Sequence, residues 1–161
     1  MIFRQANQEE ISLLFTQGYQ EWSKNRTFEQ YCIDNSKEDA IGTRYVIEKN
    51  GEIVCSTIVL RLEKINQKEV FGIGSVLTPK NHRGNNYATE LLKNCMNLVD
   101  GDNKIIFLYS DINPSFYERL DFKALPTPLQ RYEKSLCMVH CKEEVWYELL
   151  NYNIDLIPYY F

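Results

Sequence analysis

Val70-Phe71-Gly72-Ile73-Gly74-Ser75-Val76-Leu77-Thr78-Pro79-Lys80-Asn81-His82-Arg83-Gly84-Asn85-Asn86-Tyr87-Ala88 is the stretch on which the reading of this chain turns. Phe71 to Leu77 is an apolar, strand-like run that breaks at Pro79. The polar residues Lys80 to Asn86 then lead into a segment where Ala88, Leu91, Leu92, Cys95, Leu98 and Val99 recur at helical spacing. A helix start leaves backbone N–H groups without intrahelical partners and carries partial positive charge, so a loop opening onto it suits a pyrophosphate. Gly84 lets the backbone come close to such a ligand. The same order of strand, turn and helix is common in purely structural units, so the loop alone does not decide phosphate binding. Two other nucleotide motifs are excluded. No Lys-Ser or Lys-Thr follows a Gly as a Walker loop requires, and Gly72 with Gly74 is a two-glycine fragment inside a strand.

A second segment adds to the first. Lys104 to Tyr109 reads as a buried strand running into Ser110-Asp111-Ile112-Asn113-Pro114-Ser115-Phe116-Tyr117-Glu118-Arg119-Leu120-Asp121-Phe122. Pro114 fits a first helical turn and Asn113 its cap. Residues four apart share a helix face, which predicts that Asn113 and Tyr117 look into one cleft while Phe116 and Leu120 face the core.

Together the two segments resemble the GNAT superfamily of acyl-CoA-dependent N-acetyltransferases. That family's loop reads Gln/Arg-x-x-Gly-x-Gly/Ala, and its later helix carries an Asn and, four residues on, a Tyr before Gly-Phe. Asn81-His82-Arg83-Gly84-Asn85-Asn86 aligns with the loop, after Leu77-Thr78-Pro79 where the family has an apolar residue, any residue and Pro; Asn113 to Phe122 aligns with the second motif. The resemblance runs from Met1 to Phe122. Asn81 replaces the usual Gln or Arg, Asn86 the Gly or Ala, and Asp121 the Gly. Asn tolerates a left-handed backbone, so Asn86 is expected to keep the loop geometry.

The resemblance implies an α+β (mixed α/β) fold with a central, mostly antiparallel sheet flanked by helices, in one domain over residues 1–161. It implies transfer of an acetyl group from acetyl-CoA to a primary amine of a small molecule or peptide, by direct attack in a ternary complex. Backbone groups of Ser75, Val76 and Leu77 would take the pantetheine amides, and a backbone N–H near Leu77 the thioester oxygen. His82, Arg83, Gly84, Asn85, Asn86, Tyr87 and Ala88 would hold the pyrophosphate, with Asn113, Ser115 and Phe116 also on the cofactor. Tyr117, ordinarily near ~10, would be the general acid for a thiolate near ~8.5.

Each residue also has a plainer reading. Lys80, His82, Arg83 and Lys93 are candidate solvated surface groups, Asn113 a helix cap, Tyr117 an anchor of its helix. Trp22, Tyr19 and Tyr31 are either acceptor walls or core aromatics. No base is legible, since Phe71 to Leu77 lacks a carboxylate; Glu69, Asp111 or a water chain remain, with Ser75 to orient water. The alternative function is a catalytically inactive CoA-binding or protein-interaction module of the same fold.

The bounds agree with a globular domain. With 161 residues, 44% hydrophobic and 25% charged, the chain has enough apolar content for a core. A net charge of −4 argues against a nucleic-acid partner. No apolar run is long enough for a membrane span and the start lacks a signal-peptide pattern, so the expected compartment is the cytoplasm and no membrane partner is expected. Five cysteines without framework spacing suit reduced thiols, and Cys137, His140 and Cys141 are too few ligands for zinc, so no metal is expected. A shared sheet edge would support a homodimer.

Read coarsely, Ile2 to Ala6 is a strand, Gln8 to Trp22 a helix and Thr27 to Asn35 a short second helix. Arg44 to Glu48 and Ile53 to Leu60 form a hairpin around Asn50-Gly51, and Asn66-Gln67 turns back to the strand before the loop. After Phe122, residues 124–128 read as rigid and extended, Lys134 to His140 as a strand and Glu143 to Leu150 as a helix. The aromatic stretch Ile154 to Phe161 either packs on its own domain or meets a partner.

Overall fold

Asn50 and Gly51 both take positive φ, 52° and 80°, and this turn pairs β2 (Gly42–Lys49) antiparallel with β3 (Glu52–Ile65), from Lys49↔Glu52 to Gly42↔Leu60. A computed structural model describes all residues, 1–161. β1 (Ile2–Gln5) pairs antiparallel with β2 on its other edge. Asn66 and Gln67, also at positive φ, connect β3 to β4 (Lys68–Leu77). With β5 (Lys104–Ser110), β6 (Lys123–Ala124) and β7 (Leu136–His140) these form a mostly antiparallel sheet in the order β1-β2-β3-β4-β5-β7-β6. Five helices complete a mixed α/β fold: α1 (Ile11–Trp22), α2 (Phe28–Asp39), α3 (Tyr87–Val99), α4 (Ser115–Glu118) and α5 (Glu143–Leu149). The chain divides into two compact units, Met1–Leu60 with Ser75–Cys95 and Arg61–Gly74 with Met96–Phe161.

In the first unit α1 and α2 touch at Gly18, where a Cβ would lie 2.2 Å from the Tyr31 hydroxyl. Only a glycine fits there while Tyr31 keeps its place, and Tyr31 is buried. Thr27 caps α2 by accepting the Gln30 N–H at 3.1 Å. The helix outruns the predicted Asn35 and reaches Asp39. Its last turn is polar, so no apolar period marks it, and it is held instead by Arg44, whose Nε donates to Asp39 Oδ1 at 2.7 Å. From α3, Leu91, Leu92 and Cys95 are fully enclosed, as their spacing predicts.

In the second unit β4 and β5 run parallel from Glu69↔Lys104 to Ile73↔Leu108, and β7 pairs antiparallel with both β5 and β6. One face carries Val70, Phe107, Val139, Leu149 and Ile157 in a single cluster. Burying side chains of this size stabilises by about 1.5–3 kcal/mol each. Three expectations need correction. Leu98 is 54% exposed, and Met96 is the buried residue of the last turns of α3 instead. Periodicity gives the direction of a helix face and not how far its cover extends. Residues 124–128 are not extended throughout, because Pro128 fits the start of a 3-10 turn over Thr127–Leu129. β7 begins at Leu136 rather than Lys134.

The aromatic stretch after α5 docks on this unit. Arg131 donates to the carbonyls of Ile154 (2.8 Å) and Ile157 (2.9 Å), and the Tyr109 hydroxyl donates to the Pro158 carbonyl. The ring of Phe161 lies where a Cβ on Gly72 would be, 2.7 Å from its Cζ.

Candidate functional site

β4 loses its regular course at Ser75, whose φ of 49° lies in the left-handed region that a non-glycine residue enters at a cost. The register with β5 ends two residues earlier, at Ile73↔Leu108. This bend re-aims the peptide groups of Ser75, Val76 and Leu77, as a bulge does. Ser75 and Val76 are half-buried and Leu77 is buried.

Pro79 then opens a single 3-10 turn over Lys80–His82, closed by the His82 N–H on the Pro79 carbonyl at 2.8 Å. Arg83 reaches back across the neck of the loop, its Nε donating to the Thr78 carbonyl at 2.9 Å and its Nη2 to Glu21 Oε1 at 2.9 Å. Asn85 staples the inside by donating to the carbonyls of His82 (3.0 Å) and Arg83 (3.3 Å). Gly84 and Asn86 flank it in left-handed conformations, at φ 81° and 64°. The Asn86 carbonyl accepts the Glu90 N–H at 3.2 Å, which begins α3.

The Asn85 N–H closes the turn through Arg83 and Gly84, while the N–H groups of Gly84 and of Asn86 to Thr89 donate to no acceptor in the protein. A Cβ on Gly84 would meet nothing within 4 Å, so that side of the loop is open. Free donors, a positive helix end and open backbone are together the features that favour an anion. Tyr87 is buried, with the Lys49 Nζ donating to its hydroxyl at 3.0 Å, and Ala88 is half-buried. His82 Nε2 lies 3.6 Å from Glu52. Lys80 and Lys93 are exposed.

In the second unit Asn113 Oδ1 accepts the Ser115 N–H at 3.0 Å, a helix cap. The expectation for the side chains that follow is corrected. Asn113 is exposed and precedes a helix of one turn, so the four-residue spacing does not place it on a helix face with Tyr117. Tyr117 and Leu120, three apart, are the buried pair, at 7% and 5% exposure, while Phe116 is half-buried with its ring edge-on to Tyr117 at 5.0 Å. Ser115 is exposed. Asp121 takes φ 61°, the conformation that Gly serves at this position in the family motif.

Tyr117 combines a sealed ring with an available hydroxyl. The hydroxyl makes no hydrogen bond within the protein, yet it is not among the fully enclosed unpaired atoms. Burial, and then the charge of Asp111, push it up to about 12. It therefore stays protonated over the whole neutral range and is a donor.

Other groups are set against covalent or base roles. Burial pushes the thiols of Cys55 and Cys141 up to about 11 and those of Cys95 and Cys137 up to about 12, so none is a ready thiolate. Glu69 is held below the usual carboxylate range by its hydrogen bond from Arg61 at 3.0 Å, with Lys104 3.7 Å away. That makes it a poor proton acceptor. No three His, Cys, Asp or Glu side chains gather as a metal site, and no helix is long and apolar enough to cross a membrane.

A family model described as an Acetyltransferase (GNAT) domain matches residues 4–125. The chain belongs to the GNAT acetyltransferase family. A comparison with curated proteins found no match. Among solved structures, Arabidopsis thaliana Naa50 in complex with the bisubstrate analogue CoA-Ac-MVNAL is 13% identical with a TM-score of 0.68, over 88% of this chain and 98% of that one. An aminoglycoside 6'-N-acetyltransferase complexed with coenzyme A is likewise 13% identical with a TM-score of 0.68, over 87% of this chain and 96% of the other. A probable N-acyltransferase from Enterococcus faecalis V583 is 13% identical with a TM-score of 0.67; this GNAT chain matches over 77% of its own length but spans only 32% of that longer protein. At these identities the likeness is one of fold.

Proposed function

We propose that this GNAT protein transfers an acetyl group from acetyl-CoA to a primary amine of a small molecule or peptide. The observation that carries the reading is the set of unpartnered N–H groups at Gly84 and from Asn86 to Thr89, shaped by the left-handed Gly84 and Asn86. They fit the pyrophosphate of coenzyme A, with Arg83 and His82 beside them, and the re-aimed peptides of Ser75, Val76 and Leu77 suit the pantetheine amides. The resemblance implies further cofactor contacts from Asn113, which caps its helix, and from Ser115 and Phe116. Acetyl-CoA, when bound, supplies an activated thioester.

The chain's own residues then do two things. A backbone N–H near Leu77 polarises the thioester oxygen. Tyr117 donates to the departing sulfur. With Tyr117 near 12 and an ordinary thiol near ~8.5, full proton transfer would be uphill by roughly 5 kcal/mol, so Tyr117 would give the developing thiolate a strong hydrogen bond instead. Attack by the amine would be direct, in keeping with cysteines that burial keeps protonated: the ammonium first loses a proton to water, the neutral nitrogen forms the C–N bond as the C–S bond breaks, and coenzyme A leaves as a thiolate that takes up the proton the nitrogen sheds.

Structural neighbours carry a peptide-bearing bisubstrate analogue in one case and act on aminoglycosides in another, which supports an amine acceptor of either kind. Thiol release from acetyl-CoA, assayed with a short peptide and with an aminoglycoside, tests the proposal. Turnover with either, lowered about 100-fold in Tyr117→Phe with acetyl-CoA binding intact, supports it. Saturable CoA binding without turnover on any primary amine would favour the inactive binding module, a reading to which the engagement of Glu69 in ion pairs lends weight.

A further inference from the structure

Tyr160 donates its hydroxyl to Asp111 Oδ2 at 2.9 Å, tying a residue far along the chain to the loop that follows β5. Asp111 belongs to no ion pair, and its Oδ1 takes no hydrogen bond. Arg131 is engaged elsewhere: its guanidinium lies 4.1 Å over the Tyr159 ring and donates to the carbonyls of Ile154 and Ile157. Asp111 is thus a carboxylate with one oxygen fixed and the other unused. It stands by three mutually packed tyrosines, with ring centroids of Tyr109 5.5 Å from both Tyr132 and Tyr160, and those of Tyr132 and Tyr160 6.2 Å apart. Tyr132 and Tyr160 are 36% and 41% exposed, so π surface is open beside the charge. The Tyr160 N–H donates to the Tyr132 hydroxyl at 3.1 Å, which fixes the cluster from the backbone as well.

We infer that Asp111 and the open tyrosine surface beside it form the ammonium-binding site for the acceptor, with Tyr160 positioning the carboxylate. This rests on the acetyltransferase reading and extends it. The ligand class is a primary alkylammonium with an apolar or aromatic body: the charge pairs with Oδ1, and cation and body lie on the tyrosine faces. The charge of Asp111 also adds to the rise of the Tyr117 hydroxyl. Tyr132, Tyr160 and the ring of Phe161 all lie beyond residues 4–125 that match the family model, so this acceptor wall is a feature of this chain's own later segment.

The test uses the full chain saturated with coenzyme A and the probe 2-phenylethylammonium, followed by ligand-observed NMR titration, with uncharged 2-phenylethanol as comparator. Saturable binding of the ammonium but not the alcohol is expected, weakened at least fivefold by Asp111→Asn and by Tyr160→Phe. The Tyr160→Phe effect is expected to vanish in the Asp111→Asn background, because Tyr160 acts through Asp111. Acetyl-CoA affinity and melting temperature are expected to stay at wild-type values in both variants. Equal binding of probe and alcohol, no binding at tens of millimolar, or an undiminished Tyr160→Phe effect without Asp111 overturns the inference. Loss of acetyl-CoA binding in the wild type would instead overturn the acetyltransferase reading, whatever the probe does.

Discussion

Arg83 is shared between the neck of its own loop and α1: one guanidinium edge closes on the Thr78 carbonyl and the other pairs with Glu21 at 2.9 Å. A phosphate arriving at the cradle competes with the Glu21 carboxylate for this cation. Exposed pairs of this kind are worth about 0.2–1 kcal/mol, so Glu21→Gln is expected to tighten acetyl-CoA binding by up to about fivefold at low salt. Arg83→Ala is expected to weaken it. Binding isotherms at two ionic strengths check both, and an unchanged affinity in Glu21→Gln would show that Arg83 does not reach the ligand.

Asn86 holds a left-handed backbone that Gly would hold without strain. Forcing a β-branched residue into this region costs about 1–2 kcal/mol. Asn86→Val should therefore lower the melting temperature and weaken acetyl-CoA together, whereas Asn86→Gly should preserve both. Thermal melts with and without acetyl-CoA separate the two effects.

Phe161 occupies the space that a side chain on Gly72 would fill. Gly72→Ala is expected to expel the ring and cost about 1–3 kcal/mol as overpacking. Adding Phe161→Ala should recover part of that loss, since the clash is then gone. Urea unfolding of the two single variants and the double variant measures the coupling.

Arg4 bridges Glu10 and Glu48, and the hydrogen bond from Arg4 holds the Glu10 carboxyl down at about 2 against an ordinary 4.5. A depressed carboxyl contributes stability above its unfolded value and loses it as pH falls. The stability gap between the wild type and Glu10→Gln should be full at neutral pH and close between pH 4.5 and 2. Chemical unfolding across that range checks the sign.

The motif-bearing elements were legible because local chemistry dictates them. Asn50-Gly51 forces a hairpin, Pro79 ends a strand, and Asn86 and Asp121 adopt the backbone that Gly serves in the family. What the sequence could not show depends on long-range packing. The last turn of α2 is polar and stands on Arg44, a residue outside the helix. Leu98 sits on the right stripe but beyond the end of its cover. Around α4 the buried pair is Tyr117 and Leu120, three apart, and not Phe116 and Leu120, four apart. The partners of the candidate site, Glu21 for Arg83 and Tyr160 for Asp111, lie 62 and 49 residues away along the chain, and no local pattern announces them. The slot at Gly72 likewise gains meaning only from Phe161.

The most direct test of the central claim is calorimetric titration of the protein and of Gly84→Glu with acetyl-CoA, with ATP as comparator and melting temperatures recorded for both. Saturable binding of acetyl-CoA in preference to ATP is expected, abolished by an anion placed in the loop of a variant that still folds. No binding to the wild type, or undiminished binding to folded Gly84→Glu, would contradict it.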